Sequence, residues 1–160
     1  MSPRHGILDV ADPPLTDGRY HRNDERATWY GSSSEATAWA ELLKNPPNGV
    51  DPRETRRRLG RVSFDVVALD LTNDKMQKSL GVTVDDLTSK DRTTCQMLAD
   101  LAREAGFEAI VAPSAAKSNE TTLAVFAPAY KQRSRDVVDL GVSRPHQPSL
   151  TDQPPSTSMT

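Results

Sequence analysis

The 160 residues carry 20 Lys and Arg against 22 Asp and Glu, a formal net charge of −2, with 36% apolar residues, 12 prolines, three histidines and one cysteine. A chain of this length can bury a real core as one domain, and the low apolar share with many prolines points to a compact domain diluted by tail. Balanced charge excludes the overall positive field of a nucleic-acid binder; a single cysteine, Cys95, excludes an internal disulfide and the commoner metal cages, and His5, His21 and His146 show no ligand spacing, so no metal is expected; the lack of a long apolar run predicts a soluble, cytoplasmic protein.

Residues 1–17 hold Ile7, Leu8 and Val10 before Pro13-Pro14 and read as an ordered arm or a short edge strand. Residues 18–21 and 28–30 read as short strands bridged by the turn Asn23-Asp24-Glu25. Ser32 and Glu35 have capping-box spacing, which predicts a helix running to about Lys44 and stopped by Pro46-Pro47. Its core face is Ala36, Trp39, Ala40 and Leu43, while Glu41 shares a face with Thr37 and Ala38. Residues 51–60 form a polar connector ending in an arginine run at 56–58. The stretch SFDVVALDL at 63–71 is the strongest strand and reads as central. A short helix over 74–80 ends at Gly81, and Leu98, Leu101, Ala102 and Ala105 mark an amphipathic helix over 91–105, stopped by Gly106. Residues 109–112 and 121–126 complete the sheet around a polar loop at 114–120. Beyond about Asp136 the periodicity dies, and the Pro-, Ser-, Thr- and Gln-rich stretch 143–160 reads as disordered. The expected division is an arm at 1–17, a folded domain at 18–135 and a tail at 136–160.

Chemistry concentrates in few places. Arg19, in a Gly-Arg-aromatic segment, is either a surface arginine or a rigid fork for a pyrophosphate or carboxylate. Tyr20 and Tyr30 either fill a sheet face or, for Tyr30, stack on a flat ring or reach a ribose; Trp29 points the other way, toward the core. Glu41 lies in an Ala- and Trp-rich helix. It is a solvated residue, or, facing a cleft, a carboxylate able to accept from ribose hydroxyls and stabilise an oxocarbenium-like transition state. Ser114 follows Pro113 at the C-terminal end of a strand, where clefts open in α/β sheets. No His–Asp pair accompanies it, which favours hydrogen bonding over nucleophilic attack. Thr93, Thr94 and Gln96 open the long helix, as caps or as the border of an anion site.

In order and spacing, the segments GRYHR, WYGSSSEATAWAE, FDVVALDL, TTCQMLADLAREAG and IVAPSA followed by TLAVF resemble the RES domain family over about residues 18–126. The resemblance implies an α+β fold, an ADP-ribosyltransferase-like split mixed β-sheet flanked by helices in a single domain. It also implies a toxin of a bacterial toxin–antitoxin pair that consumes NAD by phosphorolysis or hydrolysis of the nicotinamide–ribose bond. Two alternatives stand beside this: a mono-ADP-ribosyltransferase acting on a protein, and a non-catalytic NAD-binding regulatory module. The implied catalytic residues are Glu41, Arg19 and Ser114, and the residues implied to hold NAD are Arg19, Tyr20, Tyr30, Thr93 and Ser114. Inorganic phosphate is the candidate co-substrate, an Xre-type antitoxin the implied partner, and a homo-oligomer within that complex a candidate assembly. Against the family pattern, His21 stands where an asparagine is familiar, Ala116 where an arginine is usual with Lys117 close by, and only Arg4 could serve as a further, earlier arginine. A nucleic-acid-cleaving toxin is disfavoured by the absence of a basic excess and of a clustered metal site.

Overall fold

The computed structural model describes residues 6–10, 12, 14, 16–23, 25–44 and 57–143. The Pro46-Pro47 stop, the connector at 51–56 and the tail beyond 143 lie outside the described residues. In chain order the elements are β1 (Thr28–Ser32), α1 (Glu35–Lys44), β2 (Arg57–Phe64), β3 (Ala68–Asp70), α2 (Asp74–Leu80), α3 (Val84–Thr88), α4 (Thr93–Glu104), β4 (Ala109–Pro113), β5 (Thr121–Phe126), α5 (Ala129–Gln132) and β6 (Ser134–Ser143). This is the expected α+β class with a mixed sheet flanked by helices. A four-stranded sheet runs β1-β5-β4-β3, with β3 parallel to β4 and the other pairs antiparallel, and β2 and β6 form a separate antiparallel ribbon.

The alternation of side chains along β4 and β5 divides the core. Ile110, Ala112, Ala124 and Phe126 face one side, where Leu87 of α3 and Cys95, Leu98, Ala99 and Ala102 of α4 cover them. Ala109 and Val125 face the other, packed with Trp29, Tyr130 and, from the ribbon, Phe64. The rings of Trp29 and Phe64 meet at 4.9 Å between centroids. The central strands therefore bury both faces, which explains their nearly unbroken apolar sequence.

Several expectations hold and several are corrected. The bounds of α2 and β5 are as read, and Gly81 ends α2 at φ 70°. The stretch 63–71 is not one central strand. Ser63 and Phe64 pair with β6, Ala68–Asp70 pair with β4 at the sheet edge, and the chain crosses between the two at residues 65–67, where Val67 is exposed. Two sheets compete for one apolar run, and each takes an end. Residues 57–60 belong to β2 rather than to a connector, and β6 continues where periodicity was expected to die; its exposed Val137 and Val138 show no inward alternation to read. Residues 18–21 make a tight turn, with the Gly18 N–H donating to the His21 carbonyl at 3.0 Å, not a strand. The helix cap is Ser34, whose Oγ accepts the Thr37 N–H at 3.1 Å, while Ser32 stays in β1 opposite Thr122. Accordingly Thr37 and Trp39 are buried and Leu43 is 41% exposed. On α4 the buried stripe is Cys95, Leu98, Ala99 and Ala102, with Leu101 outside. Helix α3 was missed in the sequence although Thr83 and Asp86 form a capping box. Near the N-terminus Ile7 is buried, and its carbonyl accepts the Trp29 Nε1–H at 3.0 Å.

Candidate functional site

A cavity of about 530 Å³ opens where the turn at 18–21, β1, α1, β2 and the start of α4 meet. Its polar wall includes Arg19, Tyr30, Glu41 and Arg92, and its apolar wall includes Ile7 and Leu59. Small-molecule sites typically occupy about 300–1,000 Å³ with few placed polar groups on a largely apolar lining. Ala38 and Glu41, one helical turn apart, both face it, because the Ser34 cap sets the phase of α1.

The carboxylate of Glu41 is held from behind. Ser114 Oγ donates to Glu41 Oε1 at 2.7 Å and accepts the N–H groups of Ala116 and Lys117 at 3.1 and 3.2 Å. A serine hydroxyl has one proton and two lone pairs. The two backbone donors occupy the lone pairs, so the proton points at Glu41. The loop bearing those donors is closed by the Ser114 N–H to the Glu120 carbonyl at 2.8 Å. Ser114 is buried just past the end of β4 and is not on the cavity wall; its link to the cavity is the hydrogen bond to Glu41.

Arg19 is anchored from one end. Its Nη1 donates to the carbonyls of Leu87 at 3.2 Å and Ser89 at 2.8 Å, at the C-terminal end of α3. Among the described residues these bonds, and a longer approach to Cys95 Sγ, all use Nη1. The remaining N–H groups of this guanidinium have the geometry to donate to an anion. The turn carrying Arg19 is tied to α4 by Gln96 Nε2, which donates to the Gly18 carbonyl at 3.0 Å, and by Arg103 Nη2, which donates to the Tyr20 carbonyl at 3.0 Å.

The tyrosines divide. The Tyr20 ring lies in the main core at 1% exposure, beside Cys95, and burial pushes its hydroxyl pKa up. Tyr30 is 36% exposed, yet its hydroxyl accepts the Tyr20 N–H at 2.9 Å and lies 2.7 Å from His21 Nδ1. Burial of that hydroxyl raises its pKa as well. His21 Nε2 is 2.9 Å from the Thr16 carbonyl, which can only accept, so Nε2 carries the proton and Nδ1 accepts from Tyr30. Burial lowers the His21 pKa, favouring this neutral ring. Gly18 makes room for it: a Cβ there would stand 2.1 Å from His21 Cε1 and 2.9 Å from the Tyr30 hydroxyl.

The RES domain family model matches residues 1–151. The chain belongs to the RES domain family. It is similar to the probable NAD(+) phosphorylase Rv3189 of Mycobacterium tuberculosis (strain ATCC 25618 / H37Rv), at 48% identity over 124 residues, 77% of this chain and 60% of that protein. The chain thus spans less than two thirds of the length of that curated relative. Its fold matches a chain of the M. tuberculosis MbcT–MbcA toxin–antitoxin complex with a TM-score of 0.64 at 22% identity, covering 81% of this chain and 73% of that one.

Within this RES domain, Arg19, Tyr20, Tyr30 and Glu41 line one cavity, and Ser114 stands behind Glu41. Thr93 does not join them. It is exposed at the first turn of α4, where its N–H donates to the Asp91 carboxylate at 3.0 Å and helps hold the Asp91 pKa below the usual carboxylate value. The preceding residue, Arg92, lines the cavity instead, with Nη1 3.5 Å from the Asp17 carbonyl. Arg92 was missed in the sequence; its only signal is a cation directly ahead of a helix. Among the described residues no cluster of His, Cys, Asp or Glu is placed to hold a metal, and no helix is long and apolar enough to cross a membrane.

Proposed function

We propose that this RES domain consumes NAD by cleaving the bond between nicotinamide and ribose, with inorganic phosphate as acceptor. The observation that carries the reading is the Ser114-held carboxylate of Glu41 on the same cavity wall system as the half-anchored guanidinium of Arg19. The name of the mycobacterial phosphorylase, a protein 48% identical, favours phosphate over water.

Arg19 and Arg92 supply positive charge for the pyrophosphate and for the incoming phosphate. As the glycosidic C–N bond breaks, its electron pair moves to the ring nitrogen, so nicotinamide leaves neutral and the ribose carries the charge. Glu41 faces that cation. Its carboxylate is already oriented by Ser114, so little reorganisation accompanies the developing charge. A phosphate oxygen then bonds to the anomeric carbon, giving ADP-ribose 1″-phosphate and nicotinamide. Stabilisation by one preorganised group of this kind amounts to about 3–4 kcal/mol in a water-poor site.

The chain is then the toxin of a toxin–antitoxin pair, acting in the cytoplasm and neutralised by an Xre-type antitoxin; the fold neighbour, from a toxin–antitoxin complex, supports the coarser point that an antitoxin is the partner. The reading is tested by following NAD with purified protein. Wild type should deplete NAD, and Glu41→Ala and Arg19→Ala should not. Undiminished depletion by both variants would remove the proposed site.

A further inference from the structure

We infer that His21 is a positioning residue that fixes the Tyr30 ring as a stacking platform for a planar ring of the ligand. The inference rests on the NAD reading, since NAD brings two flat heteroaromatic rings to the cavity. Tyr30 lines the cavity and is 36% exposed, while its hydroxyl is committed to the Tyr20 N–H and to His21 Nδ1. The part of Tyr30 offered to a ligand is therefore the ring. Aromatic faces bind flat rings by offset stacking, and a ring held in one orientation loses less freedom on binding.

Donor and acceptor logic gives the tether a direction. The Thr16 carbonyl takes the Nε2 proton, Nδ1 takes the Tyr30 proton, and Tyr30 Oη takes the Tyr20 N–H. Every partner is satisfied only while His21 is neutral. Protonated His21 would present Nδ1–H to Tyr30, and the hydroxyl proton would lose its acceptor. Around this pair stand the charges of Arg103, Glu25 and Asp17 near His21, and of Arg103, Arg92 and Arg19 near Tyr30. Burial adds to the preference for the neutral ring. The absence of a side chain at Gly18 is what lets the imidazole lie there, 5.6 Å from the Tyr30 ring centre. Trp29, its neighbour on β1, also borders the cavity, but it is only 6% exposed, packs on Phe64 and donates its Nε1–H to the Ile7 carbonyl, so little of its ring is offered to a ligand.

The test is steady-state kinetics of the whole chain with NAD and phosphate between pH 5 and 8, with thermal melting to check folding. His21→Phe and Tyr30→Phe should each raise KM for NAD by about 2- to 10-fold, the scale of one hydrogen bond, with kcat little changed. Their double variant should be no worse than either single one. His21→Asn, which retains an acceptor near the Nδ1 position, should keep KM near wild type; wild-type KM should rise toward acid pH as His21 takes up a proton, a rise that His21→Phe should abolish. An unchanged KM in Tyr30→Phe, or effects of the two variants that multiply, would overturn the inference; Tyr30→Phe and His21→Asn decide it even if His21→Phe fails to fold. Wild-type protein that neither turns over nor binds NAD in calorimetry would instead overturn the functional reading on which this one rests.

Discussion

Replacing Ser114 by alanine removes three hydrogen bonds at once: one donated to Glu41 Oε1 at 2.7 Å and two accepted from the N–H groups of Ala116 and Lys117. The stability cost follows from the stranded donors. A buried N–H without a partner costs about 1–3 kcal/mol, and because Lys117 is exposed, water can replace part of what is lost, so about 1–2 kcal/mol is expected. The catalytic cost follows from the Glu41 bond, a hydrogen bond to a charged group worth about 1.5–3 kcal/mol. At about 1.4 kcal/mol per factor of ten, NAD turnover should fall roughly 10- to 100-fold. Urea unfolding measures the first quantity, and nicotinamide release measures the second. In a Glu41→Ala background the same change should add almost nothing to the catalytic loss, since the hydroxyl acts only through that carboxylate. A loss in Ser114→Ala equal to that in Glu41→Ala, persisting in the Glu41→Ala background, would refute the reasoning and make the serine a direct participant.

Gly18→Ala should impair both folding and NAD binding, because its Cβ would sit 2.1 Å from His21 Cε1; a melting point and KM equal to wild type would show that the imidazole moves aside freely. Ile110→Ala, at a fully buried position between α4 and the sheet, should cost about 2–5 kcal/mol in denaturant unfolding. His21, whose folded pKa lies below its ordinary 6.5, takes up its proton more readily in the unfolded chain. Its contribution to stability is therefore complete above about pH 6.5 and is lost as pH falls toward the lower folded value. His21→Phe should flatten the pH dependence of the melting temperature across that window. Thr93→Ala should leave NAD turnover unchanged, whereas Arg92→Ala should raise KM for phosphate or NAD, as initial-rate kinetics would report.

Much of this architecture was legible because local signals and tertiary demands coincide. Gly81 needs a left-handed backbone and closes α2, and β5 alternates between two cores along a β-branched and aromatic sequence. Arg19, Tyr30 and Glu41 could be singled out by residue type and motif, and they meet at one cavity. What could not be read were choices made by distant partners. Whether 63–71 forms one strand or two depends on β6 and β4 competing for it, and no local pattern records that competition. Strand β6 pairs along an exposed ribbon, where burial imposes no period. Tyr20 and Tyr30 look alike in sequence, yet the turn at 18–21 sends one ring into the core and ties the other by its hydroxyl. Ser114 was expected at the site itself; its surroundings place the hydroxyl behind Glu41, a role set by two loop N–H groups that carry no residue signature.

The central claim, that Arg19 and Glu41 serve one NAD-cleaving cavity with phosphate as acceptor, is most directly tested by product analysis. Purified protein is incubated with NAD with and without inorganic phosphate, beside Glu41→Gln, and the products are identified by mass spectrometry. The account predicts nicotinamide and ADP-ribose 1″-phosphate in equal amounts, formed by wild type only when phosphate is present and nearly absent with Glu41→Gln. Intact NAD in every wild-type reaction, or equal product from the Glu41→Gln variant, would contradict it.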